Sequence, residues 1–197
     1  MNIILSTRNP SKALQIKAIF GGSLLSIQTL AEAGIGGEAV EDGMTLEANA
    51  AKKALYAHEC GDGSWTMADD TGIFIDALGG EPGVRSARWA GDVPTEEITK
   101  YTLQCLENAS DRSATFRTVV VVISPDGVEH TFVGEVRGTL LIAPRVPPQP
   151  KMPYSPLFVP NGQEKVWAEM TTEEENTISH RGIAFRKVRA FLEGLDK

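Results

Sequence analysis

Cysteine is scarce: Cys60 and Cys105 are the only two in 197 residues, lie far apart and form no C-x-x-C pair. This argues against a disulfide framework or a zinc ribbon and points to a reducing compartment. Long apolar runs are missing too. The longest strictly aliphatic stretch, Val119 to Ile123, has five residues, far short of the ~20 that a membrane helix needs. The opening Met1-Asn-Ile-Ile-Leu turns polar at Ser6 with no basic segment before it, so it lacks the pattern of a signal peptide. Basic charge is in deficit, 19 Lys and Arg against 26 Asp and Glu, for a net −7. That balance disfavours a broad grip on nucleic acid or an anionic membrane, but leaves room for a small polyanion if a few cations share one cleft. Neither a G-x-S-x-G elbow nor a Walker A loop is present, no internal repeat is found, and His58 and His130 lack ligand-like spacing. The expectation is a cytoplasmic protein with no nucleic-acid or membrane partner.

What is present suits one ordinary globular domain, or one domain with two lobes. The chain is 42% hydrophobic and 23% charged, and a chain of this size buries roughly 70% of its unfolded surface without a metal or disulfide staple. Asn2 to Ser6 reads as a buried strand. The polar Thr7-Arg-Asn-Pro-Ser-Lys12 then opens a helix running through Phe20, with Pro10 in its first turn. Leu24 to Thr29 reads as a second strand, and Thr45 caps a helix from Leu46 to about His58. Apolar segments at Trp65–Ala68 and Ile73–Ile75 flank an acidic turn, Asp69-Asp-Thr-Gly72. Gly79 to Gly83 is a loop and Thr95 to Asn108 an amphipathic helix. Ala114–Ser124 and Val128–Ile142 form a hairpin, in which Gly134 and Gly138 mark bulges or close backbone contacts. Six of the eleven prolines fall between Pro144 and Pro156, a stiff and mostly extended loop. Glu164–Met170 reads as a strand and Ile183–Leu195 as a last helix. The fold class is α/β, a twisted mixed β-sheet flanked by helices.

Four groups carry candidate chemistry. Thr7, Asn9 and Lys12 bring a hydroxyl, an amide and an ammonium to a helix N-terminus, where free N–H groups and the dipole favour phosphate; plain capping by Asn9 beside a solvated Lys12 is the alternative. Glu41, Asp69 and Asp70 offer hard oxygen ligands for Mg²⁺, and one carboxylate can deprotonate a water; a solvated acidic turn is the alternative. Asn49 and Lys53 lie one turn apart on one helix face, and Lys53 either neutralises a phosphoryl group or is solvated. Ser179-His180-Arg181 either grips a base or phosphate or caps the last helix beside surface cations.

Taken in order, these motifs form a series: Thr7-x-Asn9-x-x-Lys12, Glu41-Asp-Gly-x-Thr45, Asn49-Ala-x-x-Lys53-Ala, Ala68-Asp-Asp-Thr-Gly72, Ala77-Leu-Gly-Gly-x-Pro-Gly83, Ser86-Ala-Arg-Trp-Ala-Gly91, Ala168-Glu-Met170 and Ser179-His-Arg181. The series spans nearly the whole chain and resembles the inosine triphosphate pyrophosphatase family. The resemblance implies an elongated mixed sheet with two lobes and a central cleft, in a homodimer. It implies Mg²⁺-dependent hydrolysis of a nucleoside triphosphate to a monophosphate and pyrophosphate, with ITP, dITP and XTP as family substrates. By position, Thr7, Asn9 and Lys12 would hold the triphosphate. Glu41 and Asp70 would hold Mg²⁺ with Asp69 supporting. Asp70 would be the general base, Lys53 a phosphate contact and Thr71 a substrate contact, while His180 and Arg181 would meet the base.

Departures fall on the base-reading side. Where the family carries Gly-Phe-Gly-Tyr/Trp-Asp-Pro, this chain has Lys151-Met-Pro-Tyr154-Ser155-Pro156, beside the proline-rich stretch 143–156. Tyr154 keeps an aromatic for stacking, Ser155 replaces an aspartate, and Glu175 stands where the family has a lysine. The family's Thr-Gly-Asn reads Thr7-Arg8-Asn9. An ionised Glu175 accepts hydrogen bonds and cannot donate, which suits an amino-bearing base; Lys165 filling the lysine role is the alternative. The competing functions are a pool-shaping hydrolase of an ordinary or modified deoxynucleotide, a non-catalytic nucleotide-binding module, and a related pyrophosphatase of thymidine or uridine nucleotides.

Overall fold

The computed structural model describes residues 1–195. Its elements are β1 (Asn2–Leu5), α1 (Pro10–Ile19), β2 (Ser26–Thr29), α2 (Leu46–Cys60), β3 (Trp65–Ile75), β4 (Pro82–Gly83), α3 (Thr95–Cys105), β5 (Ser113–Ile123), β6 (Glu129–Leu140), β7 (Phe158–Pro160), α4 (Thr172–Ile178) and α5 (His180–Leu195). The strands form one mixed sheet in the order β2-β1-β3-β5-β6-β7, with β4 paired to β3. β1 runs parallel to β2 and β3, while β4 and β7 run antiparallel to β3 and β6. The α/β class with a mixed sheet and helices is the one expected.

The chain divides into two compact units: Met1–Asp70, Thr118–Gly134 and Ser179 onward form the first, Thr71–Arg117 and Glu135–Ile178 the second. In the first, Ile3 and Leu5 of β1, Met67 of β3 and Val120 and Val122 of β5 meet Ala13 and Ile16 of α1 and Ala184, Phe185, Val188 and Leu192 of α5. The i, i+4, i+8 spacing of Ala184, Val188 and Leu192 puts one apolar stripe of α5 on the sheet. In the second, Ile73, Ile75, Phe116, Leu140, Tyr154, Phe158 and Trp167 form a separate core, with Phe116 edge-on to Phe158 at 4.8 Å.

Local chemistry accounts for the caps. Asn9 is extended and its side chain accepts from the N–H groups of Ser11 and Lys12, with Pro10 just inside α1. Thr45 caps α2 through Ala48 N–H. Ser179 caps α5, accepting from Gly182 N–H at 3.0 Å.

Four expectations are corrected. The acidic turn does not exist: Asp69, Asp70, Thr71 and Gly72 lie inside the continuous eleven-residue β3. Apolar residues on both sides pair into the sheet, and the two aspartates are carried along because each finds a cation. The second half of the proline-rich stretch, from residue 149, is a chain of tight turns and not an extended loop, with Met152 N–H on Gln149 C=O, Ser155 N–H on Met152 C=O and Leu157 N–H on Tyr154 C=O. Proline pre-sets φ for turns as well as for extended chain. Glu164–Met170 holds a short 3-10 turn at Trp167–Glu169 in place of a strand; the Glu169 carboxylate accepts from Val166 N–H and diverts the backbone from a ladder. The last helix begins at His180, three residues earlier than expected, and α4 precedes it.

The glycines of β6 are close contacts, as expected. A Cβ on Gly134 would strike the backbone of His180 and Ala184. Substituting Gly134→Ala therefore forces α5 away from β6; we expect a loss of about 1–3 kcal/mol, read as an earlier midpoint in urea denaturation.

Candidate active site

β3 organises the polar centre of the first unit. Successive strand residues point to opposite faces, so Asp69 and Asp70 take different first partners, although Lys53 still acts on Asp69 and Lys12 on Asp70. Asp69 lies on the Met67 face, toward α1 and α5. Its carboxylate meets Lys12 Nζ at 3.0 Å and Arg181 Nε at 3.6 Å. Arg181 Nη1 also donates to Gln15 Oε1 at 2.6 Å. Asp70 lies on the Thr66 face, toward α2, where Thr66 donates to Ala54 C=O. Lys53 Nζ lies 3.2 Å from Asp70 Oδ1 and 3.3 Å from Glu41 Oε2, and Asn49 donates to Asp70 Oδ2 at 3.2 Å.

Burial sets the electrostatics. Asp69 is 2% exposed and Asp70 8%. Burial disfavours the Asp69 anion, but Lys12, Arg181 and Lys53 together outweigh it and hold its pKa well below the usual carboxylate range. Burial dominates at Asp70 and raises its pKa, although Lys53 and Lys12 oppose the shift. Burial also lowers the pKa of Lys12 despite Asp69. For Lys53, burial is opposed by Asp70, Asp69 and Glu41, and the net direction is upward. His180 is buried with Nδ1 2.6 Å from Thr118 Oγ1; burial and then Arg181 push its pKa well below 6.5.

The α1 N-terminus differs from a free anion cradle. The Asn9 side chain occupies the Ser11 and Lys12 N–H groups, and Thr7 Oγ1 accepts from Asn9 N–H. Asn9 is a cap, while Lys12 is paired, not solvated. His180 and Arg181, 4% and 5% exposed, are not surface cations. Lys53 is likewise paired, and Thr71 follows Asp70, half-buried on β3. Among the described residues, no three His, Cys, Asp or Glu side chains gather as a metal cluster; the expected trio of Glu41, Asp69 and Asp70 is split because Asp69 faces the cations of α1 and α5. Glu41 and Asp70 do meet at one cation, the Lys53 ammonium. Two such carboxylates suit Mg²⁺, which usually keeps water and phosphate oxygens as its other ligands.

Of the residues expected at the base, His180 and Arg181 lie in the first unit, and Tyr154, Ser155 and Glu175 in the second. Tyr154 is buried, edge-on to Phe116, and donates to Ser86 C=O at 2.8 Å, so its ring belongs to the core. Ser155 is buried and donates to Met152 C=O. Glu175 is half-buried on α4. Lys165 is bound to Glu174 at 2.6 Å.

Gln15 and Thr118 were not singled out from the sequence. Each had a faint signal, a polar side chain on an otherwise apolar face: Gln15 lies one turn beyond Lys12 on α1, and Thr118 precedes the valine run of β5.

The Ham1 family model matches residues 3–191. A dITP/XTP pyrophosphatase of Thermoanaerobacter pseudethanolicus is 40% identical over 195 residues, 98% of this chain and 96% of that one. Another from Frankia alni is 38% identical, covering 98% and 97%. Among solved structures, the Staphylococcus aureus Ham1 protein matches with a TM-score of 0.84 at 31% identity, covering 98% of this chain and 99% of that one. A Coxiella burnetii HAM1 protein matches with a TM-score of 0.87 at 29% identity and the same coverage.

The buried neutral His180 has a pH signature. Below its ordinary pKa of 6.5 the unfolded chain takes up a proton that the folded one refuses. Its contribution is therefore flat above about pH 6.5 and turns destabilising as pH falls, by up to about 1.4 kcal/mol per pH unit. Urea denaturation between pH 5 and 8 should show that slope, and His180→Gln should remove one proton's worth of it.

Proposed function

The chain belongs to the Ham1 family, and from that premise we propose that it is a nucleoside triphosphate pyrophosphatase acting on deaminated purine nucleotides such as dITP and XTP. The observation that carries this reading is β3: two adjacent buried carboxylates, one met by Lys12 and Arg181, the other by Lys53 and Asn49. Three buried or half-buried cations in so acidic a chain are a concentrated counter-charge for a triphosphate.

Lys12 and Arg181 bind phosphate oxygens, with Thr7 beside them, while Asp69 keeps both cations aligned before substrate arrives. Asn9 holds the first turn of α1 and so fixes where Lys12 emerges. Glu41 and Asp70 are the residues that would hold Mg²⁺, which when bound supplies charge neutralisation and orientation of the triphosphate. The oxygen of a water joins one phosphorus of the α–β anhydride and the bridging P–O bond breaks. One proton of that water passes to Asp70, and Lys53 faces the charge left on the departing oxygen. In the same reading Thr71 is a substrate contact and His180 a base contact. The homodimer and a cytoplasmic location belong to the same reading. Consistent with it, no helix among the described residues is long and apolar enough to cross a membrane.

One observation favours a second reading of base choice. Glu175 sits on a helix whose first turn carries Glu173 and Glu174 as well, and Lys165 pairs with Glu174 at the surface. A carboxylate facing the base would prefer an amino edge.

A panel of ribo- and deoxyribonucleoside triphosphates with pyrophosphate detection decides between them. Preference for dITP and XTP supports the first reading; preference for amino-bearing bases supports the second, and no turnover of any triphosphate sinks both. Asp70→Asn should keep nucleotide binding while turnover falls by about 10²–10⁴-fold. Under the second reading, Glu175→Lys should move preference toward oxo-purines by at least about 10-fold; under the first it should change little.

A further inference from the structure

Between β2 and α2 the chain has no helix or strand of its own, yet Glu41 must be held beside Lys53 and Asp70 for the site to exist. Side chains supply the restraint. Asn49, Lys52, Lys53 and Tyr56 are spaced i, i+3, i+4, i+7, one stripe of α2. Asn49 accepts from Gly43 N–H at 2.8 Å, Lys52 pairs with Asp42, Lys53 meets Glu41 and the Tyr56 hydroxyl donates to Gly36 C=O. Gly37 takes a φ of +67°, and a Cβ there would lie 2.6 Å from the Tyr56 hydroxyl, so the chain passes directly against the stripe.

One further restraint comes from the phosphate-side loop. Arg8 stands between Thr7 and Asn9. Arg8 is exposed, and its guanidinium reaches the facing segment at the surface: Nε donates to Gly37 C=O at 2.7 Å, and Nη2 donates to Gly37 C=O and to Ile35 C=O at 3.4 Å. We propose that Arg8 is a positioning residue that straps Ile35–Gly37 to the Thr7–Lys12 loop and so holds Glu41 at its station beside Lys53 and Asp70. This rests on the metal-dependent pyrophosphatase reading above. A planar guanidinium presents several donors in a fixed fork and can serve two carbonyls at once; an ammonium is a point charge without that geometry. Where the strap is missing, a ligand that needs Glu41 must first order the segment, and that entropy is subtracted from its affinity.

The test uses Arg8→Ala and Arg8→Lys in the full chain, with thermal melts to show both fold. The first readout is native-state cleavage by a glutamate-specific protease after Glu38 and Glu41, both exposed. The second is Mn²⁺ binding by electron paramagnetic resonance, and the third the Mg²⁺ dependence of dITP hydrolysis. For Arg8→Ala we expect cleavage at least about 5-fold faster in this segment alone. Mn²⁺ affinity should weaken and half-saturating Mg²⁺ rise by about 10-fold, with kcat at saturating Mg²⁺ within about 3-fold of wild type. Arg8→Lys should fall nearer to Arg8→Ala than to wild type, and it carries the comparison alone if Arg8→Ala does not fold. Metal affinity within about 2-fold of wild type overturns the proposal, whether or not cleavage accelerates. A wild-type chain that hydrolyses no triphosphate sinks the pyrophosphatase reading, while the protease and Mn²⁺ measurements still decide the role of Arg8.

Discussion

The first unit is arranged around one demand: two neighbouring carboxylates on a buried strand must each find positive charge. An unpaired buried carboxylate is strongly unfavourable, and removing one partner of a buried pair typically costs about 3–5 kcal/mol. Strand geometry sends Asp69 and Asp70 to opposite faces, so one cation cannot serve both equally. Lys12 from α1 and Arg181 from α5 answer on one face, and Lys53 from α2 answers on the other. Three helices distant in sequence are thereby held to one strand by polar contacts, and α1 and α5 also by the apolar packing around Met67 and Phe185.

The same arrangement stores counter-charge ahead of use. In a protein of net charge −7, free lysines and arginines at a buried site would be costly; kept as ion pairs they are tolerable and aligned. Three cations from three helices are thereby gathered and aligned on one strand without recruitment from solvent. Asn9 shows the limit of reading function from a motif: its amide caps α1 and takes the Ser11 and Lys12 N–H groups, and the cation of that turn, Lys12, is paired with Asp69.

Regular structure and site precision are not distributed alike. Asp69 and Asp70 ride on a strand, and Lys12, Lys53 and Arg181 on helices, whereas Glu41 rides on a segment with none of its own hydrogen-bond ladder. Such segments sit at the low end of local stability. Here four side chains of α2 and the guanidinium of Arg8 replace the missing ladder, and the accuracy of the Glu41 position depends on side-chain contacts at the protein surface.

Much was legible before any coordinates. Sequence patterning located β1, β5, β6 and every helix except α4, because burial of one face leaves a period in the sequence; Asn9, Thr45 and Ser179 announced their caps, because capping is local chemistry; Gly134 and Gly138 announced close contacts, because only glycine fits where another backbone intrudes. The ordered motifs carried the family. What the chain alone left open was decided by partners far away in sequence. Asp69-Asp70 reads locally as a solvated turn and is a buried strand, since the cations that make burial tolerable come from positions 12, 53 and 181. His180-Arg181 reads locally either as a grip on a base or phosphate or as surface cations, and both are buried, since Thr118 and Gln15 receive them. Local propensity and patterning are written residue by residue, whereas the cost of burying a charge depends on what the fold brings within about 4 Å of it, and that distance exists only in the tertiary structure.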